Sequence, residues 1–423
     1  MSKHVVRVCL VVLSVILLSQ AALAQVTLQF MGWEASPLET ESVQRGLRRF
    51  EELNPGIKVE YIPVGGDEYH TRLLTMMAGN AAPDVFFINA EGYYRNFARR
   101  GVLLELDEYF YQSLSLDDFI PMEQDKMLVD GKIYGTSSCV VAPVLYYNKD
   151  LFDKAGLPYP PSDPKEAWTW DEFIEVAKQL TIEQNGRVTQ FGVYGFENMH
   201  PREAAIYSNN GLIFSEDYSK LDMGPKAQEA LTKILELRTV HKVSPPAAFL
   251  EQSGMNAAQM LQTGRVAMVA DGSWALQELA KMNFSVGVGV LPIMERPITA
   301  GTAHLHSIWS GTKHPEEAWK LVEFLSSEEY QIGLVREGLW MPNRAHMYEL
   351  EDRGRWMDPE VHPEGFEGIA DYFADYVLPN PSIFVPREAW DIFEEELDKF
   401  FLDDQPLDKV VENMRRRIDP ILQ

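Results

Sequence analysis

Nine consecutive residues, Cys139–Tyr147 (CVVAPVLYY), carry only apolar, aromatic or proline side chains. A run of that length suits a strand buried on both faces better than a helix. Pro143 is awkward inside such a strand and marks an edge or a bend. Upstream, Asp130-Gly131 reads as a tight turn, because glycine tolerates the positive φ that the turn demands. Downstream, Asn148 can cap a short helix over Leu151–Ala155. Gly156 ends that helix and Pro158 blocks its return. The stretch therefore predicts a strand that leaves one folded body and delivers the chain into another.

The segments on either side support two α/β bodies. Val26–Met31 alternates like a strand and stops at Gly32-Trp33-Glu34. A helical face of Val43, Leu47, Phe50 and Leu53 follows, ended by Pro55-Gly56. Ile57–Ile62 and Val85–Ile88 are further strands, each followed by a helix, one from Glu68 to Gly79 and one closed by Gly101. That alternation argues for a largely parallel sheet. Beyond the central run, Thr169 and Glu172 form a capping box for a helix over Trp170–Leu180. Phe191–Phe196, Val266–Ala270 and Phe284–Leu291 read as strands. Pro201–Ser208, a long segment from Pro225 to about Val240, Pro315–Leu325 and an acidic stretch around Trp390–Phe401 read as helices.

The chain has 423 residues, too many for one ordinary core. Its net charge is −25, and becomes −27 without Lys3 and Arg7 of the first segment. A surface this acidic is self-repelling and soluble, and a poor partner for nucleic acid or anionic lipid. Met1–Ala24 reads as a secretory signal, with a basic start, an apolar run Val8–Leu18 and a small-x-small site Ala22-Leu23-Ala24 before Gln25. Cys9 lies inside that run rather than after a cleavage site, so no lipid anchor is expected. Cys139 is then the one cysteine of the mature chain, an inert buried thiol without a disulfide. The expected product is a free, exported, periplasmic monomer.

Catalytic and metal signatures are sparse. There is no paired-cysteine zinc spacing, no H-E-x-x-H, no G-x-S-x-G elbow and no phosphate-binding loop. Gly287 and Gly289 lack the third glycine and the following helix of a dinucleotide site. No cofactor, no metal and no catalytic residue is therefore expected. What stands out is aromatic rings beside polar groups at strand ends. A sugar offers apolar C–H faces and a rim of hydroxyls, which suit rings and carboxylates or amides respectively. Trp33 and Glu34 end the first strand, and Asn89 and Glu91 end the third. Asp271 and Trp274 follow the strand Val266–Ala270, and Trp390 opens the acidic helix. Gly272 is expected to leave backbone room for a ligand, and Ser273 to cap a helix starting at Trp274.

Four patches carry a resemblance: LYYNKDLFDKAGLP with TWDEF (Leu145–Pro158 and Thr169–Phe173), AGNAAPDVFF (Ala78–Phe87), GRVAMVADGSWAL (Gly264–Leu276) and KHPEEAWKLVEFL (Lys313–Leu325). Together, and in the family's order along the chain, they resemble the extracellular solute-binding proteins of family 1, the sugar-binding subunits of bacterial ABC importers. The resemblance implies a two-lobed type II periplasmic binding fold, with a ligand cleft between lobes joined by hinge strands. It implies one lobe from 25–136 and 300–326 and another from 137–299 and 327–423, with the return crossing in Met294–Gly301. It implies a carbohydrate ligand and a membrane permease as partners. Trp274 and Trp390 match positions where relatives stack sugar rings, and Asn89 and Glu91 match hydroxyl-binding positions. His304 and His306 fall on the cleft-facing strand, and Tyr207 and Asn210 near a sugar contact. Arg344, after Trp340-Met341-Pro342, can either bind ligand or form a structural ion pair. Where maltose-binding members carry a glutamate in the crossover strand, this chain has the apolar Cys139–Val141. Two rivals stay open: an exported carbohydrate-active enzyme, and a binder of a non-sugar solute such as glycerol phosphate.

Overall fold

The computed structural model describes residues 25–423 apart from Asp67, Ala90, Glu91, Asp403 and Asp404, and of Asn89 the backbone alone. The expected leader Met1–Ala24 and the candidate Glu91 lie outside the described residues. In the first lobe, β1 (Val26–Glu34), β2 (Ile57–Gly65) and β3 (Val85–Asn89) are parallel, with β1 in the middle. A short hairpin follows, β4 (Leu128–Val129) and β5 (Lys132–Ile133). Its turn residues Asp130 and Gly131 both have positive φ, 52° and 81°, as a two-residue turn between right-twisted strands requires.

The apolar run is two strands rather than one. β6 (Gly135–Val141) belongs to the first sheet and β7 (Pro143–Asn148) to the second. Only Ala142 separates them, and every residue of both is buried. Pro143 opens β7, where its missing N–H breaks no interior ladder. The rest of the second sheet is β8 (Ile182–Gln184), β9 (Arg187–Tyr194), β10 (Val266–Gly272) and β11 (Val286–Gly289), ordered β11-β7-β10-β9-β8. The period-2 alternation of β7 explains its double burial. Leu145 and Tyr147 pack in one core beside Phe173 and Leu231, and Val144 and Tyr146 in another beside Leu276 and Val288.

The chain returns through β12 (Thr299–Ile308), which pairs antiparallel with β3 and β6. Its first residues also pair with β13 (Val377–Pro379), and the Thr299 hydroxyl donates to the Pro143 carbonyl at 2.8 Å. The first sheet thus runs β13-β12-β3-β1-β2, with β6 on β12. Helix signals read from sequence are present: Asn148 caps Lys149–Ala155 and Gly156 ends it at φ 66°. The Thr169/Glu172 box opens Trp170–Leu180.

The expected assignment of everything after 327 to the second lobe needs correction. Helix Glu328–Val335 places Tyr330 and Leu334 in the first-lobe core, followed by Leu339 and Trp340. Its Tyr330 ring lies where a Cβ on Gly46 would sit, 2.5 Å from the nearest ring carbon. Gly46 stands inside helix Pro37–Leu53, where alanine would ordinarily gain about 1 kcal/mol. Tyr330 is 3% exposed and has no room to retreat. Gly46→Ala is therefore expected to lower stability in urea titration despite its helix propensity, by about 1–3 kcal/mol. Gly56→Ala, with open space around it, is the neutral control. A stabilised Gly46→Ala protein would show that the helix is not held against Tyr330.

Candidate ligand-binding cleft

In the first sheet the chain passes from β1 to β2 on one side and then to β3 on the other. The carboxyl ends of β1 and β3 therefore flank a topological switch point, where open α/β sheets bind ligands. The antiparallel β12 brings its amino-terminal half to the same edge, His304 opposite Asn89. From the second sheet, β10 ends at Gly272 opposite Pro143, the first residue of β7. All these strand ends meet at the crossing. There a cavity of about 220 Å³ is lined by Trp33, Phe87, Val141, Thr302, Ala303, His304 and Trp340 on one side, His200 and Trp274 on the other, and Ala35 and Glu39 at its end.

Of the residues selected from sequence, Trp33, Trp274, His304 and Trp340 come together here. Trp33 stands among Tyr69 and Phe87, with ring centroids 5.6 and 6.0 Å away. His304 packs edge-on between Phe87 (4.7 Å) and Trp340 (4.5 Å). Burial pushes its pKa down to about 3, so it is a neutral ring across the physiological range. Trp340 has φ 68°, a conformation that is an outlier for a bulky residue. The neighbouring Met341 exchanges both backbone hydrogen bonds with Val140 of β6, at 2.9 and 3.0 Å. That clamp holds the strained residue at the cavity wall.

Trp274 differs in detail from expectation. Its own ring occupies the space beside Gly272, where an added Cβ would lie 2.1 Å from a ring carbon. The glycine makes room for the tryptophan, not for a ligand. Ser273 does not cap: the short turn Ser273–Ala275 starts from Gly272, and the serine hydroxyl has no partner among the described residues. Trp274 remains half-buried, with the His200 ring edge-on at 5.9 Å.

Other candidates lie elsewhere. Trp390 is 1% exposed and packs on Phe393 at 4.8 Å in the second-lobe core. The amphipathic helix Arg387–Phe401 turns that residue inward. Tyr207 is likewise buried in that core, and its carbonyl accepts from Arg296. The Asn210 amide is tied to Glu295 at the surface. Arg344 donates twice to the Ser326 carbonyl (3.0 and 2.7 Å) and stacks over Phe119 at 4.0 Å. Its binding capacity is spent on structure. His306 is buried beneath the wall and shares a hydrogen with Ser138 at 2.9 Å. Glu34 ends β1 beside the cavity without lining it, and Asp271 lines a neighbouring one. Burial lifts the Asp271 pKa to about 6 although its carboxylate accepts from the Gly272 N–H.

Three polar groups escaped sequence reasoning. Thr302 is two residues from His304 on β12, so strand alternation could have found it. Its buried hydroxyl has no partner among the described residues. His200 opens helix Met199–Ser208, a position without a pattern. Glu39 carried a signal, Ser36-x-x-Glu39, which reads as a capping box and so as structure. Ser36 does cap helix Pro37–Leu53, accepting from the Glu39 N–H at 3.1 Å. Yet the Glu39 carboxyl is 2% exposed at the cavity end, with no ion-pair partner among the described residues. Burial lifts its pKa to about 8, opposed by a hydrogen bond accepted from the Ala35 N–H and aided by the nearby Glu34 charge.

The geometry defines a binding protein: two α/β lobes, strands running directly between them, and an aromatic-walled pocket at the junction. Residues 36–332 match the family model described as bacterial extracellular solute-binding protein. The chain belongs to that family. A solved ABC substrate-binding protein from Listeria monocytogenes, in complex with cycloalternan, superposes with a TM-score of 0.81 at 26% identity, covering 94% of this chain and 98% of that one. A protein of Brucella abortus named as a binding protein is 23% identical over 387 residues, 89% of this chain and 88% of that one. The galactooligosaccharide-binding protein of Bacillus subtilis is 25% identical over 228 residues, 52% of this chain and 50% of that one. Among the described residues, no helix is long and apolar enough to cross a membrane.

Two substitutions test these placements. Trp390→Ala should destabilise the fold by about 3–5 kcal/mol, as for a fully buried ring, in chemical denaturation. For Glu39, the folded pKa of about 8 exceeds the ordinary carboxyl value of 4.5. Its stabilising contribution is full below pH 4.5 and is lost as pH rises toward 8. The loss is on the order of 4 kcal/mol. Glu39→Gln should remove that slope, and parallel pH–stability profiles for the two proteins would refute the buried, unpaired state.

Proposed function

We propose that this chain is the substrate-capturing subunit of an ABC importer, taking up a carbohydrate, in particular an oligosaccharide, and presenting it to a membrane permease. The single observation that carries this reading is the cavity wall. Three tryptophans, a phenylalanine, the neutral His304 ring and the His200 ring enclose it, and its described lining holds no lysine or arginine. Rings cover the apolar faces of a sugar, and the Thr302 hydroxyl, the imidazoles and Glu39 meet its hydroxyls. A phosphate-bearing solute would call for lysine or arginine, and their absence from the described lining disfavours the glycerol phosphate alternative. Relatives that bind galactooligosaccharide and cycloalternan support the same class.

The protein binds and releases without chemistry on the ligand. The two lobes close by bending at the strands that cross between them. Export removes Met1–Ala24 and leaves a free periplasmic monomer starting at Gln25. An intact mass that keeps the leader or adds lipid would overturn that location.

Thermal-shift screening against a sugar library tests the class, since a ligand of the native state alone raises apparent stability. Hydrolysis of the same sugars at enzymatic rates would restore the enzyme reading. With the ligand found, X-ray scattering should report a smaller radius of gyration on binding. Trp274→Ala should keep its apo melting temperature close to wild type, because the ring is half-buried. It should lose roughly 2 kcal/mol of binding, about thirtyfold in affinity. A variant that melts far lower yet binds normally would make Trp274 a core residue.

A further inference from the structure

Beyond Trp274 the cleft continues. A second cavity of about 560 Å³ adjoins the first, and the two share Ala35, Glu39 and Trp274. Its other walls come from both lobes: Ser36 and Leu38 from the amino end of helix Pro37–Leu53, and Asn256, Ala257, Asp271 and Glu278 from the second lobe. The described lining again holds no lysine or arginine. Alone, the first cavity of about 220 Å³ falls below the roughly 300–1,000 Å³ of ordinary ligand pockets. The second lies within that range, and its polar lining is made of carboxyls, two amides and a hydroxyl.

We propose that the capture site has two compartments, with Trp274 as the shared wall and Glu39 at the neck, and that the ligand is a neutral oligosaccharide whose chain passes Trp274 from one compartment into the other. This rests on the carbohydrate reading of the first compartment. A ring between two sugar units covers an apolar face in each compartment. Glu39 is buried at the neck, facing Glu34 on β1, Tyr61 on β2 and Tyr330 on helix Glu328–Val335, with no cation among them. A carboxyl so placed keeps its proton near neutral pH and donates to a ligand oxygen. Asp271 has one oxygen occupied by the Gly272 N–H, which leaves the other to accept from a hydroxyl.

The test is calorimetry at pH 7 with maltotriose, galactotriose and arabinotriose, each beside its monosaccharide. Wild type is compared with Ala257→Trp and Leu38→Trp, which fill the second compartment from opposite lobes. A melting curve verifies folding, and one folded variant suffices. At least one trisaccharide should bind wild type ten times more tightly than its monosaccharide. The filling variants should erase most of that difference and change monosaccharide affinity less than twofold. Equal affinity of wild type for trisaccharide and monosaccharide would overturn the proposal. So would unchanged trisaccharide affinity in a folded filling variant. In both cases sugar binding itself persists, and the carbohydrate reading stands. If wild type binds no sugar of the screened library, that reading fails and takes the second compartment with it.

Discussion

The two sheets are joined by strands, not by a linker, and the cleft follows from that constraint. Ala142 alone separates β6 from β7, and the Thr299 hydroxyl holds β12 to the Pro143 carbonyl beside it. Side chains and backbone of these crossing strands, Val141, Thr302 and Ala303, form the cavity floor. In the proposed hinge closure, a bend at these strands therefore also reshapes the cavity floor. Trp33 and Phe87 come from strand ends of one sheet, and Trp274 follows a strand end of the other. Their approach is fixed by how two sheets can share crossing strands.

The interior electrostatics match a dry, neutral ligand. His304 and His306 are both held uncharged by burial, and Glu39 is held protonated near neutral pH by the same cause. Each of these groups would be charged or half-charged in water over part of the physiological range. Inside the cleft they act as neutral donors and acceptors. Glu39 thus brings no negative charge to the first cavity near neutral pH.

Periodicity and capping made much of the fold legible. The helices Trp170–Leu180 and Pro315–Leu325 end where the Thr169 box, Pro315 and the turn residues place them. The apolar run Cys139–Tyr147 marked the crossing, though alternation cannot tell one strand from two when both are buried on both faces. The site was harder to read. Trp33 and Trp274 follow strands, and strand ends are visible in sequence. Trp390 is as aromatic and as near a helix start, but which way it points depends on helix phase against a core that only the fold supplies. Glu39 was hidden for the opposite reason. Its pattern has a local explanation in capping, and only tertiary packing turns its carboxyl into the cleft.

Among the described residues, the lobes also touch at the rims of the cleft. On one side Gln277 donates to Ser42 at 3.2 Å, and Ser42 donates to Glu337. On the other, Arg95 lies 4.9 Å over the Phe384 ring, which stacks on Tyr218 at 4.7 Å. A neutral hydrogen bond such as that from Gln277 to Ser42 contributes about 0.5–1.5 kcal/mol net, and a half-buried cation–π contact about 0.5–2 kcal/mol. Against these stands the desolvation of the tryptophan-lined walls, which favours closing only when something fills the space between them. Rim contacts of this size bias the lobes without locking them. The decisive free energy is what a ligand gains from both walls at once, because only a difference in affinity between open and closed forms can move their populations.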